Sequence, residues 1–362
     1  MSEQDQFNQK REDLLTAWQA AGLSPELLSE LPIHSLGPGG LRDRVDLTLF
    51  READGMCLGL YDMENKHILP MTNCPMMTPA LSRWFQDFRT RIPDIQLGGL
   101  RLRVAPDGAR GLWLDFPNLE IQRFLQEGTW LTQMMALAHV EMGQRRLEVL
   151  SSEDGSLVLG AAKPLPWFET WLGEDELPCA LYCGVGGFTQ VGFAANRALV
   201  RLVRANARAT GATRWLELGS GIGNFTLPLA AEGWQVTALE NDPRANSGLQ
   251  RSAVEAGLGE AIQVVQANMH RQDDALAGLL TQVDAVLADP PRSGLRGFCQ
   301  VLANMPAVQR PRHFVYVSCF GASLAEDVAR LIEMGYRLES AEGLDQFPQS
   351  RHCEWLLRLR HT

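Results

Sequence analysis

From about Val191 onward the chain alternates apolar runs with amphipathic stretches, and this alternation limits the possible folds more than any other feature. The strand candidates are RWLELG, WQVTALE, IQVVQAN, VDAVLAD and HFVYVSC, each followed by a segment of helical period. Near-continuous apolar strands separated by helices describe a doubly wound parallel sheet buried on both faces. The chain closes with YRLESAEGL and EWLLRLR, joined by a loop too short for a crossover helix. The last strand is therefore expected to run antiparallel.

The preceding text has a different character. Residues 1 to about 45 read as helix and then loop, ending in the turn-rich run Gly37 to Gly40. Beyond Val45 come short strand-like pieces: VDLTLF, MCLGLYD, LRLRVAP, GLWLDF, RLEVLSS and SLVLGAA. Two helical stretches interrupt them, near Pro79 to Arg91 and Glu120 to Glu141. The expected division is a helical segment plus a smaller α+β domain over residues 1–185 and an α/β domain over residues 186–362.

With 362 residues, 45% of them hydrophobic and 21% charged, the chain suits two domains of ordinary size. The polar N-terminus has no apolar h-region, and no apolar run approaches the roughly 20 residues that span a bilayer. A cytoplasmic enzyme is expected. Seven cysteines (Cys57, Cys74, Cys179, Cys183, Cys299, Cys319 and Cys353) are scattered without a C-x-x-C pair, so neither zinc nor an iron-sulfur cluster is expected. The formal net charge of −10 argues against tight non-specific nucleic-acid binding but leaves room for local basic paths. Such paths could lie along Arg197, Arg201, Arg204 and Arg208, at Arg292 and Arg296, or at Arg358 and Arg360, although solvated helix faces and strand ends are the favoured reading of any single cluster.

The first strand of the alternating half runs into Glu217-Leu218-Gly219-Ser220-Gly221-Ile222-Gly223-Asn224-Phe225 and then an apolar helix. Glycines there permit a tight turn and close backbone approach, and the helix start offers free N–H groups. About 20 residues on, the next strand ends in Glu240, where a carboxylate can take both ribose hydroxyls. The pair predicts an adenosine-cofactor site. A second glycine run, Tyr182 to Phe188, lacks an acidic strand end at that distance and is rejected as the cofactor loop. Asn268, closing the third strand, is placed to bond an adenine edge or simply to end the strand.

The fourth strand ends in Asp289-Pro290-Pro291-Arg292 and the fifth in Val317-Ser318-Cys319. Ligands of open α/β sheets bind outside the carboxyl ends of the strands, so Asp289 and Cys319 belong to the crevice of the glycine loop. An antiparallel final strand would begin at the same edge, bringing in Glu354. A parallel sheet ending in an antiparallel hairpin is the layout of class I methyltransferases, and a thiol and a carboxylate beside a methyl donor suit methylation of a pyrimidine at C5. The thiolate would add to C6, C5 would take the methyl group, and Glu354 would remove the C5 proton. Asp289 and Arg292 could orient the ring.

These motifs resemble the RNA uracil-5 methyltransferases, S-adenosylmethionine-dependent enzymes with the class I, Rossmann-like fold. The likeness is carried by Phe188-Thr189-Gln190, the ELGSGIGNF loop, DPPRSGL from Asp289, YVSC ending at Cys319, and Asp345-Gln346-Phe347-Pro348 leading to His352-Cys353-Glu354. GLRDRVDLTL and ILPMTNCPMMTPAL resemble the central domain of the same enzymes. The resemblance implies that Cys319 is the nucleophile, Glu354 the general base and Asp289 a residue near both uracil and donor. Gln190, Glu217, Gly219, Gly221, Gly223, Asn224, Phe225, Glu240, Asn268 and Asp289 would form the cofactor site, with no metal. Phe188 would pack on a base extruded from tRNA or rRNA, and Arg292 would touch the substrate.

Two positions depart from the family pattern. Phe320 stands where Asn usually follows the cysteine, and Gly192 where Asn usually stands two positions beyond the F-x-Q glutamine. Two further readings stay open beside the catalytic one: an RNA-binding relative that keeps the fold without catalysis, and a methyltransferase for another substrate in which Cys319 is dispensable.

Overall fold

The computed structural model describes residues 2–53, 55–62, 65–271 and 274–362. They form two compact units, one of residues 1–38, 170–179 and 194–362, the other of residues 39–169 and 180–193.

The first unit is built on a single eight-stranded sheet. Its strands run, edge to edge, Ile33–Ser35, Tyr336–Asp345, Glu354–His361, His313–Ser318, Ala285–Ala288, Arg214–Leu218, Gln235–Glu240 and Ile262–Gln266. Every pair is parallel except the two made by Glu354–His361, which runs against both neighbours. This is the expected antiparallel closing strand. The central strands Ala285–Ala288 and His313–Ser318 are buried at every position, as strands covered on both faces must be. Leu216, Val286, Phe314 and Tyr316 enter one apolar layer, while Trp215, Leu287, Val315 and Val317 enter the other. The period-2 alternation thus assigns each strand to two cores.

The division between units differs from the expected one, because residues 1–38 belong with the α/β half. The helix Glu3–Ala20 buries Leu14 and Trp18 in the cluster that contains Leu324, Val328 and Trp355. Ile33–Ser35 then adds an edge strand parallel to Tyr336–Asp345. A local pattern cannot reveal such a partner, because its pairing residues lie some three hundred positions away in the chain.

The second unit carries its own eight-stranded sheet, in the order His67–Pro70, Gly55–Asp62, Arg44–Glu52, Leu97–Val104, Arg110–Asp115, His139–Met142, Leu147–Ser151 and Leu157–Ala161. All neighbours are antiparallel except Arg110–Asp115 with His139–Met142. The helix Pro79–Arg89 starts at a Thr78 cap and buries Leu81, Trp84, Phe85 and Phe88, a spacing that covers one sheet face. The helical stretch expected over Glu120 to Glu141 is instead two helices and a strand. Asn118–Glu127 ends at Gly128, whose φ of 70° no helix continues through, and Thr129–Met135 follows. Val140 and Met142 then point into the core while Glu141 points to the opposite face, as alternation requires. A further hairpin, Leu165–Leu172 with Leu177–Cys183, was not anticipated from its sequence.

Candidate active site at the carboxyl edge of the α/β sheet

The glycine loop follows the strand Arg214–Leu218 at the carboxyl edge of the sheet. Gly221 holds φ of 56°, and a Cβ there would meet nothing within 4 Å, so its backbone is open to a ligand. Gly219 is closed in by contrast: a Cβ would lie 3.0 Å from the Asp289 carbonyl. The Glu240 carboxylate is held by three backbone N–H groups, from Gly221 at 3.0 Å, Asn241 at 2.7 Å and Asp242 at 2.8 Å. It is therefore oriented before any ligand arrives.

Two buried atoms of this loop have no protein partner, Glu217 Oε1 and Ser220 Oγ. Orphaned polar atoms beneath an open glycine turn are what a polar cofactor would satisfy. The residues fit an adenosine cofactor bearing an amino acid group. Ser220 carried no expectation of its own, since nothing in its position within the motif marks it as buried.

Burial pushes the Glu217 carboxyl up to about 8, against a hydrogen bond from Thr226 and with help from the charges of Asp289 and Glu240. The folded protein then holds a proton that the unfolded chain releases above about pH 4.5, so this group's contribution to stability falls as pH rises between those values. Glu217→Gln should flatten that dependence. Thermal melting of the ligand-free protein from pH 5 to 9 checks it; parallel curves for the two proteins would contradict the assignment.

Two of the expected cofactor residues are engaged elsewhere. The Asn224 amide is taken up in a reciprocal pair with Asn196, at 2.7 and 2.8 Å. The Phe225 ring, 2% exposed, packs with Leu199, Val203 and Trp215 in the core. Both follow the turn, where the helix has already begun to wind away from the open side. Asn268 closes its strand by accepting the His270 N–H at 2.9 Å.

Cys319, Glu354, Asp289 and Arg292 do come together. Ser318 pairs with Trp355 in the antiparallel ladder, so Cys319 leaves one strand beside the point where Glu354 opens the next. Cys319 is half-buried, whereas Cys299 and Cys353, each 2% exposed, lie in the apolar core. Burial raises the Cys319 thiol above its ordinary range, as do the charges of Glu354 and Asp289, while a hydrogen bond from Arg292 opposes them. Glu354 is pushed far above the usual carboxylate range by burial first and by Asp289 second. Gln346 donates to Glu354 Oε2 at 2.6 Å, a contact no motif role had assigned.

The loop Asp289 to Leu295 is pinned from behind. Asp327 accepts the Leu295 N–H at 2.6 Å and the Tyr316 hydroxyl at 2.7 Å. A Cβ on Gly294 would lie 2.4 Å from the same carboxylate oxygen.

The rejected glycine run lies in the other unit, where it serves as a scaffold. Glu141 accepts the N–H groups of Val185 and Gly186 at 2.8 and 3.1 Å. Arg101 donates to the Gly187 carbonyl at 2.6 Å, Arg103 to the same carbonyl at 2.8 Å, and Arg44 to Thr189 O at 2.9 Å. N–H groups spent on Glu141 are not available to cradle a phosphate. The loop instead presents Phe188, 68% exposed with the Arg44 guanidinium 5.3 Å from its ring centre, while Gln190 is buried. Gly192 has a packing reason: a Cβ would stand 2.0 Å from the Leu41 carbonyl.

The helix Phe193–Thr210, which carries Arg197, Arg201, Arg204 and Arg208, offers less free charge than its sequence suggests. Arg197 and Arg201 share Glu176, and Arg204 and Arg208 share Glu232. Arg201 holds Glu176 down at about 2. Among the described residues no cluster of His, Cys, Asp and Glu is placed to hold a metal, and no helix is long and apolar enough to cross a membrane.

Sheet topology, glycine loop and acidic strand end together define a class I, S-adenosylmethionine-dependent methyltransferase. The family model described as tRNA (uracil-5-)-methyltransferase matches residues 180–361, and the chain belongs to that family. An uncharacterized RNA methyltransferase of Bdellovibrio bacteriovorus is 38% identical over 345 residues, covering 95% of this chain and 86% of the relative. The 23S rRNA (uracil(1939)-C(5))-methyltransferase of Chromohalobacter salexigens is 29% identical over 332 residues, covering 88% of this chain and 64% of that enzyme. Among solved structures, the tRNA (uracil-54, C5)-methyltransferase of Pyrococcus abyssi, in complex with S-adenosyl-L-homocysteine, matches with a TM-score of 0.68 at 18% identity. That match covers 99% of this chain and 84% of the archaeal one, and establishes the likeness of fold.

Proposed function

We propose that this chain methylates C5 of a uridine in tRNA or rRNA, with Cys319 as nucleophile and Glu354 as general base. The observation that carries the reading is the convergence of a half-buried thiol, a buried carboxyl and Asp289 beside the glycine loop. S-adenosylmethionine, when bound, supplies an electrophilic methyl group; Gly221, Glu240 and Ser220 are the residues to hold it.

C5 of uracil is too weak a nucleophile to take a methyl group unaided. The Cys319 thiolate adds to C6, and the electron pair moved to C5 and O4 forms the new C5–methyl bond. Glu354 then accepts the C5 proton, the C5–C6 double bond re-forms, and the sulfur leaves as thiolate. Arg292, hydrogen-bonded to the sulfur, favours the thiolate at both ends of this cycle. Asp289 orients the ring, and the exposed Phe188 offers an aromatic surface to RNA.

The test is tritium release from C5-labelled uridine in unmodified tRNA and rRNA, with cofactor present. Release from one RNA class identifies the target. RNA binding without release from either would favour the non-catalytic reading, for which Phe320, partly exposed next to Cys319, is the motivating departure.

A further inference from the structure

The loop Asp345 to Arg351, which carries Gln346, is anchored by one face of the N-terminal helix. Gln6, Lys10 and Asp13 follow the i, i+4, i+7 spacing that shares a helix side. Gln6 Oε1 accepts the N–H of Gln349 at 2.7 Å, and Gln349 has φ of 60°, a conformation that a non-glycine residue keeps only when its surroundings hold it. Lys10 Nζ bonds Asp345 Oδ1 at 2.5 Å and the Phe347 carbonyl at 3.1 Å. Arg351 reaches Asp13 at 2.7 and 2.9 Å. The central contact is the costly one: the Lys10 side chain is 1% exposed and that of Asp345 5%. A buried ion pair gains little stability over an apolar pair of similar volume, so its value lies in the geometry it imposes.

That geometry bears on Glu354. Gln346 donates to Glu354 Oε2 through Nε2, while its Oε1 is buried without a partner. Its amide is therefore not aimed by a second side-chain bond, and its direction is set by the backbone of the anchored loop. The same helix packs Leu14 against Gly321, two residues beyond Cys319, with a would-be Cβ 3.2 Å from Leu14 Cδ1.

We propose that Lys10 is a positioning residue for the proton-removal step: by tying Asp345 and Phe347 to the helix it aims Gln346 at Glu354. This rests on the reading of Glu354 as base and Cys319 as nucleophile. Loss of the anchor leaves addition to C6 and methyl transfer intact and slows removal of the C5 proton, so the S–C6 bond of the methylated adduct persists.

The experiment compares the full-length wild type with Lys10→Met and Lys10→Arg. It measures cofactor affinity, turnover, and the fraction of protein bound covalently to unmodified RNA at steady state. Lys10→Met should bind cofactor as the wild type does, turn over on the order of 10- to 100-fold more slowly, and accumulate denaturation-resistant RNA adduct. Lys10→Arg should recover most of the loss. If Lys10→Met does not fold, Asp345→Asn, which keeps an acceptor oxygen but not the charge, should show the same accumulation to a lesser degree. Folded variants that turn over within about twofold of wild type without extra adduct would overturn the proposal. With 5-fluorouridine RNA, whose C5 substituent cannot leave as a proton, all forms should trap the adduct. Absence of adduct from the wild type would sink the Cys319 reading itself, and this proposal with it.

Discussion

Cys319→Ala should leave a folded protein that binds S-adenosylmethionine and does not methylate RNA, with turnover lower by on the order of 10³-fold or more. In the proposed mechanism the loss is large because C5 has no other route to sufficient electron density, and because the cysteines packed behind this edge of the sheet cannot replace Cys319: Cys353 is buried one residue before Glu354, and Cys299 lies in the core. Burial and two neighbouring carboxylates hold the Cys319 thiol above its ordinary value, and burial does the same to Glu354. In the proposed mechanism both act deprotonated, so activity should rise as pH increases from neutral into the alkaline range. A pH–rate profile flat from 6 to 9, or an alanine variant with near-native turnover, would contradict the mechanism.

Gly192→Asn should not raise activity and should instead destabilise the unit of residues 39–169 and 180–193, by about 3 kcal/mol or more. Asparagine is the residue that the family usually has here, so the naive expectation is a gain. In this chain the Leu41 carbonyl stands 2.0 Å from where a Cβ would sit, and Asp43 Oδ2 stands 2.9 Å away. Asp43 cannot easily retreat, because it accepts the Phe193 N–H at 2.8 Å and the Thr78 hydroxyl at 3.0 Å. Differential scanning calorimetry decides the matter; a variant that melts within a few degrees of wild type would refute the steric argument.

The α/β sheet and its carboxyl-edge crevice were legible from the sequence because strand ends inherit their place from topology. Once five strands are parallel and the last is reversed, Asp289, Cys319 and Glu354 have no other edge to occupy. Side chains that follow the glycine turn were less legible. Asn224 and Phe225 lie within the motif, yet the helix turns them toward Asn196 and the core. The part played by the first forty residues was hidden for a different reason. Lys10 meets Asp345 across 335 positions, and no periodicity within a helix names so distant a partner. Gly128, which breaks the stretch from Glu120 to Glu141, could have been read as a stop.

The reversed closing strand has one more consequence. Because Cys319 and Glu354, the proposed nucleophile and base, hang from adjacent, hydrogen-bonded segments of main chain, their spacing is inherited from the ladder itself and owes little to the shape of the interior beneath. Substitutions among Phe314, Leu357 and Leu359 can therefore drift, at some expense in melting temperature, while Cys319 and Glu354 keep their separation.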